Sequence, residues 1–156
     1  MKTLILYATK HGGTHEVAKR IAKHIDGAVL HNLKQDGIPP IADFDCVILG
    51  SSLYVGSIRK EAKLFLKQNA DTLKKKRLGL FLCGMQMEEQ KQFFTSNFSP
   101  DILESAKATA FLGGIFDPKK SGFMERCIMK AVAKMPDYIN NLDDEKIELF
   151  VKELSI

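Results

Sequence analysis

Four apolar runs, at residues 3–8, 46–50, 78–83 and 109–115, do not alternate polar with apolar side chains. Such runs suit strands covered on both faces, which occur in parallel sheets flanked by helices. A fifth, weaker run at 28–33 contains His31 and Asn32 and reads as an edge strand. Helical spacing fills the intervals at 14–26, 58–73, 88–98 and 143–154. Strand and helix therefore alternate, and parallel strands need crossovers that run right-handed. The expected fold is α/β: a doubly wound, five-stranded parallel sheet with helices on both faces. Gly37, Ile38, Pro39 and Pro40 disfavour a helix between the second and third strands, so that crossover is expected to be irregular. A chain of 156 residues and 17.5 kDa fits one domain, 1–156, able to bury a core without disulfides or metals.

Composition narrows the function classes. No apolar run approaches the roughly 18 residues of a membrane span, and the start, MKTLILYATK, turns polar too early for a signal peptide. It reads as the first strand of a cytoplasmic protein. Cys46, Cys83 and Cys127 are odd in number, widely spaced and without metal-ligand spacing, so they read as small buried hydrophobes, with no metal site. The basic run Lys74, Lys75, Lys76, Arg77 sits at a helix end, where cations complement the helix dipole; no nucleic-acid role is expected of it.

The formal net charge of +4 is concentrated between Pro118 and Pro136, where five basic residues face one acidic residue. This segment, approximately 117–136, interrupts the strand–helix alternation as a helical insertion before the last helix. Phe123, Met124, Cys127, Ile128, Ala131, Val132 and Met135 form an apolar stripe beside a basic stripe of Arg126, Lys130 and Lys134. An amphipathic cationic helix of this kind suits an anionic membrane surface or an acidic ligand, and equally a cap on the sheet edge.

In an open parallel sheet, ligands bind beyond the carboxyl ends of the strands, where strand order reverses. Three loops stand there. The first is Thr9, Lys10, His11, Gly12, Gly13, Thr14; the second runs Ser51, Ser52, Leu53, Tyr54, Val55, Gly56, Ser57; the third follows Cys83 as Gly84, Met85, Gln86, Met87. Backbone N–H groups, threonine hydroxyls and a helix N-terminus suit the first loop to a phosphate monoester. Gly13, Thr14, His15 is not the Gly-Lys-Ser/Thr of a Walker loop, and two adjacent glycines do not make a G-x-G-x-x-G dinucleotide fingerprint. A receiver domain needs an acidic residue where this third strand ends in Gly50, Ser51, Ser52. A Cys-x5-Arg phosphatase loop is absent after Cys83.

The first loop resembles the Thr/Ser-x-Thr/Ser-Gly-x-Thr loop of the flavodoxin family, with His11 where electron carriers have a hydroxyl. Phe44, Asp45, Cys46, Val47, Ile48, Leu49, Gly50, Ser51, Ser52, Leu53, Tyr54 resembles the family's third strand and the loop after it. The resemblance implies FMN, with the first loop on its phosphate and the other two along its isoalloxazine ring. In a chain without Trp, Tyr54 is the aromatic best placed against that ring, with Leu53, Val55, Met85 and Met87 as apolar contacts.

The stretch from Gly113, Gly114, Ile115, Phe116 through Pro118 to the helix 123–135 is similar to the corresponding part of the menaquinone-dependent protoporphyrinogen oxidases, as is Tyr54, Val55, Gly56, Ser57. That similarity implies an FMN-dependent oxidoreductase of haem biosynthesis that oxidises a porphyrinogen and passes the electrons to a quinone, with no catalytic side chain demanded. It also implies peripheral contact with the inner face of the cell membrane through 119–135. The alternative is a flavodoxin carrying single electrons between redox proteins, against which a pI near 8.9 counts, since such carriers are usually acidic where they dock.

Overall fold

A computed structural model describes residues 1–86, 88–120, 122–123, 126–127 and 138–155. Its strands are β1 (Thr3–Ala8), β2 (Val29–Asn32), β3 (Cys46–Tyr54), β4 (Ser57–Ile58), β5 (Arg77–Cys83), β6 (Ala106–Phe111), β7 (Ile115–Phe116) and β8 (Ile139–Asn140). The helices are α1 (Gly13–Ala22), α2 (Lys60–Leu73), α3 (Gln90–Asn97), α4 (Pro100–Ser105) and the final helix α5 (Asp144–Glu153). Five strands form the expected parallel sheet in the order β2-β1-β3-β5-β6. The crossover into β3 contains only a single 3-10 turn, Ile41–Asp43.

The continuous apolar runs follow from this layering. Leu4, Leu6, Val47, Leu49, Leu80 and Leu82 lie on one face, against Ala62 and Phe65 of α2 and Ile102 of α4. Ile5, Tyr7, Ile48, Phe81 and Cys83 lie on the other, against Val17, Ala18 and Ile21 of α1 and Ile147, Phe150 and Val151 of α5. Because side chains alternate between faces, only a strand buried on both sides must be apolar at every position. Each such Leu, Ile or Phe contributes about 1.5–3 kcal/mol when fully buried.

Local chemistry sets the helix ends. In α1, Glu16 stands in the first turn and Lys19 and Arg20 in the last, matching the dipole. At the start of α5 the Asp143 side chain accepts a hydrogen bond from Lys146 N at 3.1 Å, and acidic Asp144 and Glu145 follow. The basic run after α2 is engaged within the protein. Lys74 pairs with Asp71 and Asp101 at 3.1 and 2.9 Å, Lys76 donates to Ala42 O at 2.9 Å, and Arg77 donates to Leu154 O at 2.7 Å.

Several boundaries and elements differ from expectation. The predicted helix 88–98 is α3, Gln90–Asn97, and a further short helix that was not expected, α4, follows it where Ser99 and Pro100 start a new first turn. The strand expected at 109–115 is β6, which begins at Ala106 and ends at Phe111. As an edge strand it is apolar only in part: Lys107 and Thr109 are exposed, while Ala108 and Phe111 are buried on opposite faces of the sheet. Gly113, with φ +79, then turns the chain away from the sheet. Beyond the predicted end at Gly50, β3 continues to Tyr54 and pairs antiparallel with β4, Leu53 opposite Ile58 and Tyr54 opposite Ser57. Finally, β7 and β8 form a separate antiparallel ribbon around the insertion. Most of the expected helix at 123–135 lies outside the described residues; of those described, Phe123, Arg126 and Cys127 are exposed.

Candidate functional site

Strand order reverses between β1 and β3, because β2 lies on one side of β1 and β3 on the other. The first two loops leave the sheet at that point, and the third leaves the carboxyl end of the adjacent strand β5. The sheet thus brings the three predicted segments to one end.

In the first loop, Gly12 has φ +92 and a Cβ placed on it would meet nothing within 4 Å, so its glycine serves conformation rather than close packing. Its N–H donates to Thr9 Oγ1 at 3.0 Å, which folds the loop over, and its carbonyl accepts from Glu16 N at 3.0 Å, which starts α1. No side chain caps α1, so its first-turn amides remain available to an anion at the positive end of the helix. Thr14 is wholly buried, and its Oγ1 has no hydrogen-bond partner of good geometry among the described residues. A buried hydroxyl seldom goes unsatisfied. An uncapped helix start, beside a buried hydroxyl that otherwise meets the Cys83 thiol, fits a phosphate group. Lys10 reaches across to the second loop, its Nζ 5.7 Å from the centre of the Tyr54 ring. Its neighbour His11 is half-buried. Behind the loop, His15 stacks on Tyr7 with ring centres 5.0 Å apart.

The second loop is a tight hairpin. Val55 and Gly56 are its central residues, with φ of 49 and 72, the left-handed pair that a two-residue hairpin requires. Glycine takes this conformation freely, whereas a β-branched valine is strained there. Tyr54 and Val55 project into solvent, 43% and 80% exposed, while Ser52 and Leu53 are half-buried. Ser51 is turned inward: its hydroxyl donates to Ser52 O and accepts from Arg59 N, both at 3.0 Å.

The third loop is held by a part of the chain that the sequence pattern does not connect to it. Gly84 N donates to Gly113 O at 3.1 Å. A Cβ on Gly114 would lie 2.8 Å from Gly84 O and 3.2 Å from Met85 Sδ. A Cβ on Gly13 would lie 3.7 Å from Ile115. The glycine pair 113–114 therefore lets β7 approach both the first and third loops. The only sequence signal for this contact was the glycine pair itself. Gln86 is exposed, and Met87 lies outside the described residues.

Cys83, expected among the site residues, contributes its side chain to the core instead of the loop surface. Burial pushes its thiol up to about 12, with the neighbouring Thr14 hydroxyl acting weakly the other way. Burial likewise pushes Cys46 up to about 11. Only thiolates are nucleophilic. Treating the folded protein with iodoacetamide at pH 8 should therefore label exposed Cys127 and spare Cys46 and Cys83 until denaturant is added. Mass spectrometry of the peptides reads the result; labelling of Cys83 in the folded state would contradict this placement.

Among the described residues no His, Cys, Asp and Glu cluster could hold a metal ion, and no helix is long and apolar enough to cross a membrane. Residues 4–143 match the flavodoxin domain family. Oxidised flavodoxin 2 from Bacillus cereus superposes with a TM-score of 0.65 at 20% identity, covering 99% of this chain and 98% of that one. The flavodoxin of Streptococcus pneumonia TIGR4 gives 0.56 at 14% identity over 99% and 98%. Protoporphyrinogen IX dehydrogenase (quinone) of Escherichia coli K12 is 23% identical over 148 residues, 86% of this chain and 80% of the relative. With the fold, the strand-order reversal and the family match in agreement, the chain belongs to the flavodoxin family and takes FMN as its cofactor.

Proposed function

We propose that this protein is an FMN-dependent oxidoreductase of the protoporphyrinogen oxidase type, oxidising a porphyrinogen and delivering electrons to a quinone. The observation that carries this reading is the mouth of the site. Exposed Tyr54 and Val55 form an apolar ledge, Lys10 lies over the tyrosine ring, and Lys119 and Lys120 follow the ribbon strand that packs on Gly13. An apolar surface with a cation over its aromatic ring suits a large ring system bearing carboxylates. The similarity to the Escherichia coli dehydrogenase, which extends over most of both chains, supports the same substrate class.

In this reading Gly12, Gly13 and Thr14, with Thr9, Lys10 and His11, hold the phosphate. Ser52, Leu53, Tyr54, Val55 and Gly56 and the backbone of Gly84, Met85 and Gln86 flank the ring, with Met87 and the backbone of Ser51 and Cys83 beside them. Bound flavin supplies the electron transfer itself. The chain's residues hold it: the uncapped helix start and Thr14 fix one end, and the hairpin and third loop limit water at the other. The segment 119–135 is proposed to bring the protein to an anionic membrane surface, where a lipid quinone resides.

A carrier of single electrons is the second reading, favoured by the near-complete superposition on Bacillus cereus flavodoxin 2. Loaded with FMN, the protein should oxidise protoporphyrinogen faster than the spontaneous reaction when a menaquinone analogue is present, measured as porphyrin fluorescence. Fully loaded protein that leaves that rate unchanged would favour the carrier.

A further inference from the structure

One side chain outside all three loops grips the second of them. Asn97 is the last residue of α3, and its carboxamide makes three hydrogen bonds. Oδ1 accepts from Ile58 N at 2.9 Å, while Nδ2 donates to Gly56 O at 2.8 Å and to Phe93 O at 2.8 Å. The first two bonds hold the outgoing side of the hairpin turn, one on Gly56 within it and one on Ile58 just beyond it. The third ties the amide to its own helix and fixes the side chain's direction. Phe93, one turn earlier, packs where a Cβ on Gly56 would lie 3.6 Å away, and its ring stacks on Phe111 with centres 6.1 Å apart.

Val55 makes this grip necessary. Left to local preference, a β-branched residue leaves the positive-φ region, and the hairpin tip would open or re-register. Asn97 binds the backbone on the far side of that residue, so relaxation at Val55 would break hydrogen bonds at Gly56 and Ile58 together. In addition, α3 begins shortly after the third loop and ends on the second. The two segments flanking the flavin ring in the proposed arrangement are thereby joined by one short helix.

We propose that Asn97 is a positioning residue for the flavin ring: it holds the Val55 and Gly56 turn in its left-handed form and so sets both the affinity for the isoalloxazine and its midpoint potential. The inference rests on the ring lying along the second and third loops. Riboflavin, which lacks the phosphate, isolates the ring's share of binding. N97A should weaken riboflavin and FMN binding by the same factor, about tenfold, as expected when hydrogen bonds to a partly buried turn are lost. It should also shift the midpoint potential of bound FMN. If N97A does not fold, N97D is read instead: it keeps the acceptor for Ile58 N and loses both donations, and the same losses are expected.

Wild-type affinity and potential in N97A, or in N97D where N97A is unfolded, would overturn the role of Asn97. Y54A separates this from failure of the underlying placement. If Y54A changes flavin affinity or potential and the Asn97 variants do not, the ring placement stands and the positioning role falls. If neither changes anything, the ring placement itself falls. In the apoprotein, hydrogen exchange at the Ile58 amide should quicken in N97A, and unchanged protection there would also count against the clamp.

Discussion

Gly50→Ala should destabilise the protein by about 3 kcal/mol or more, at the upper end of what overpacking a core costs. Gly50 lies in the centre of the sheet as the cross-strand partner of Phe81 on β5. The Phe81 ring lies over the glycine, so that a Cβ there would sit 1.9 Å from Cζ and 2.3 Å from both Cε atoms. The ring has no room to retreat, being completely buried and edge-on to Phe150 with centres 6.3 Å apart. Relief would need displacement of α5, which packs on that face. For a chain of this size the loss corresponds to a melting point lower by roughly 10 °C. Urea denaturation measures it. The mechanism is specific enough to check by a double-mutant cycle, because Phe81→Leu removes the ring that the new methyl would strike. G50A and F81L together should cost less than the sum of their separate costs, by about 1 kcal/mol or more. Additive costs would show that the methyl group acts elsewhere.

Gly113→Ala should cost about 3 kcal/mol as well, combining a left-handed backbone with a steric clash, but its damage should be concentrated at the site. Gly113 has φ +79, and a Cβ there would lie 1.9 Å from the backbone oxygen of Asn141. That contact closes a seam. Gly84 N donates to Gly113 O on one side, and Asn141 N donates to Gly114 O at 2.9 Å on the other. Moving Gly113 therefore moves the third loop and the β7–β8 ribbon that abuts the first loop at Gly13. FMN affinity should fall by about tenfold, an amount equal to roughly 1.4 kcal/mol of the disturbance reaching the ligand. Fluorescence quenching on titration with FMN reads that part, and urea denaturation reads the rest. Gly122→Ala is the control: nothing among the described residues lies within 4 Å of its Cβ position, and neither quantity should change. A G113A protein with normal FMN affinity would mean that this seam does not support the cofactor loops.

The residues differ in how much of their structural role local sequence reveals. Leu4, Ile48 and Leu80 announce buried parallel strands, because a strand covered on both faces must be apolar at consecutive positions. The threonines and glycines of residues 9–14 suit the proposed anion site, because a helix start beside small residues has backbone amides to offer. Lys107 and Thr109, by contrast, made β6 hard to place, since an edge strand exposes alternate side chains and loses the continuous apolar pattern. The hairpin at Val55 was hidden for a different reason. Valine is a poor residue for a left-handed turn, and its conformation is imposed by pairing with β4 and by Asn97 rather than by its own preference. Ser51 and Cys83 were legible as site-adjacent by position but not by orientation. Period-two alternation puts successive side chains on opposite faces, and only the completed sheet shows that Ser51 clamps Arg59 N and Cys83 enters the core.

The strand and helix alternation, the parallel sheet and the three loops at its carboxyl end were all readable along the chain. Each depends on local periodicity or on hydrogen-bonding groups within a few residues of one another. The long-range choices were not readable. Asn97 reaches Gly56 across 41 positions, Gly113 meets Asn141, and Phe81 needs a glycine at position 50. These are contacts between segments far apart in sequence, each satisfied by shape or by a single polar group, and no local pattern encodes them. Tertiary packing alone decides which backbone groups they hold in place, and with that the form of the site.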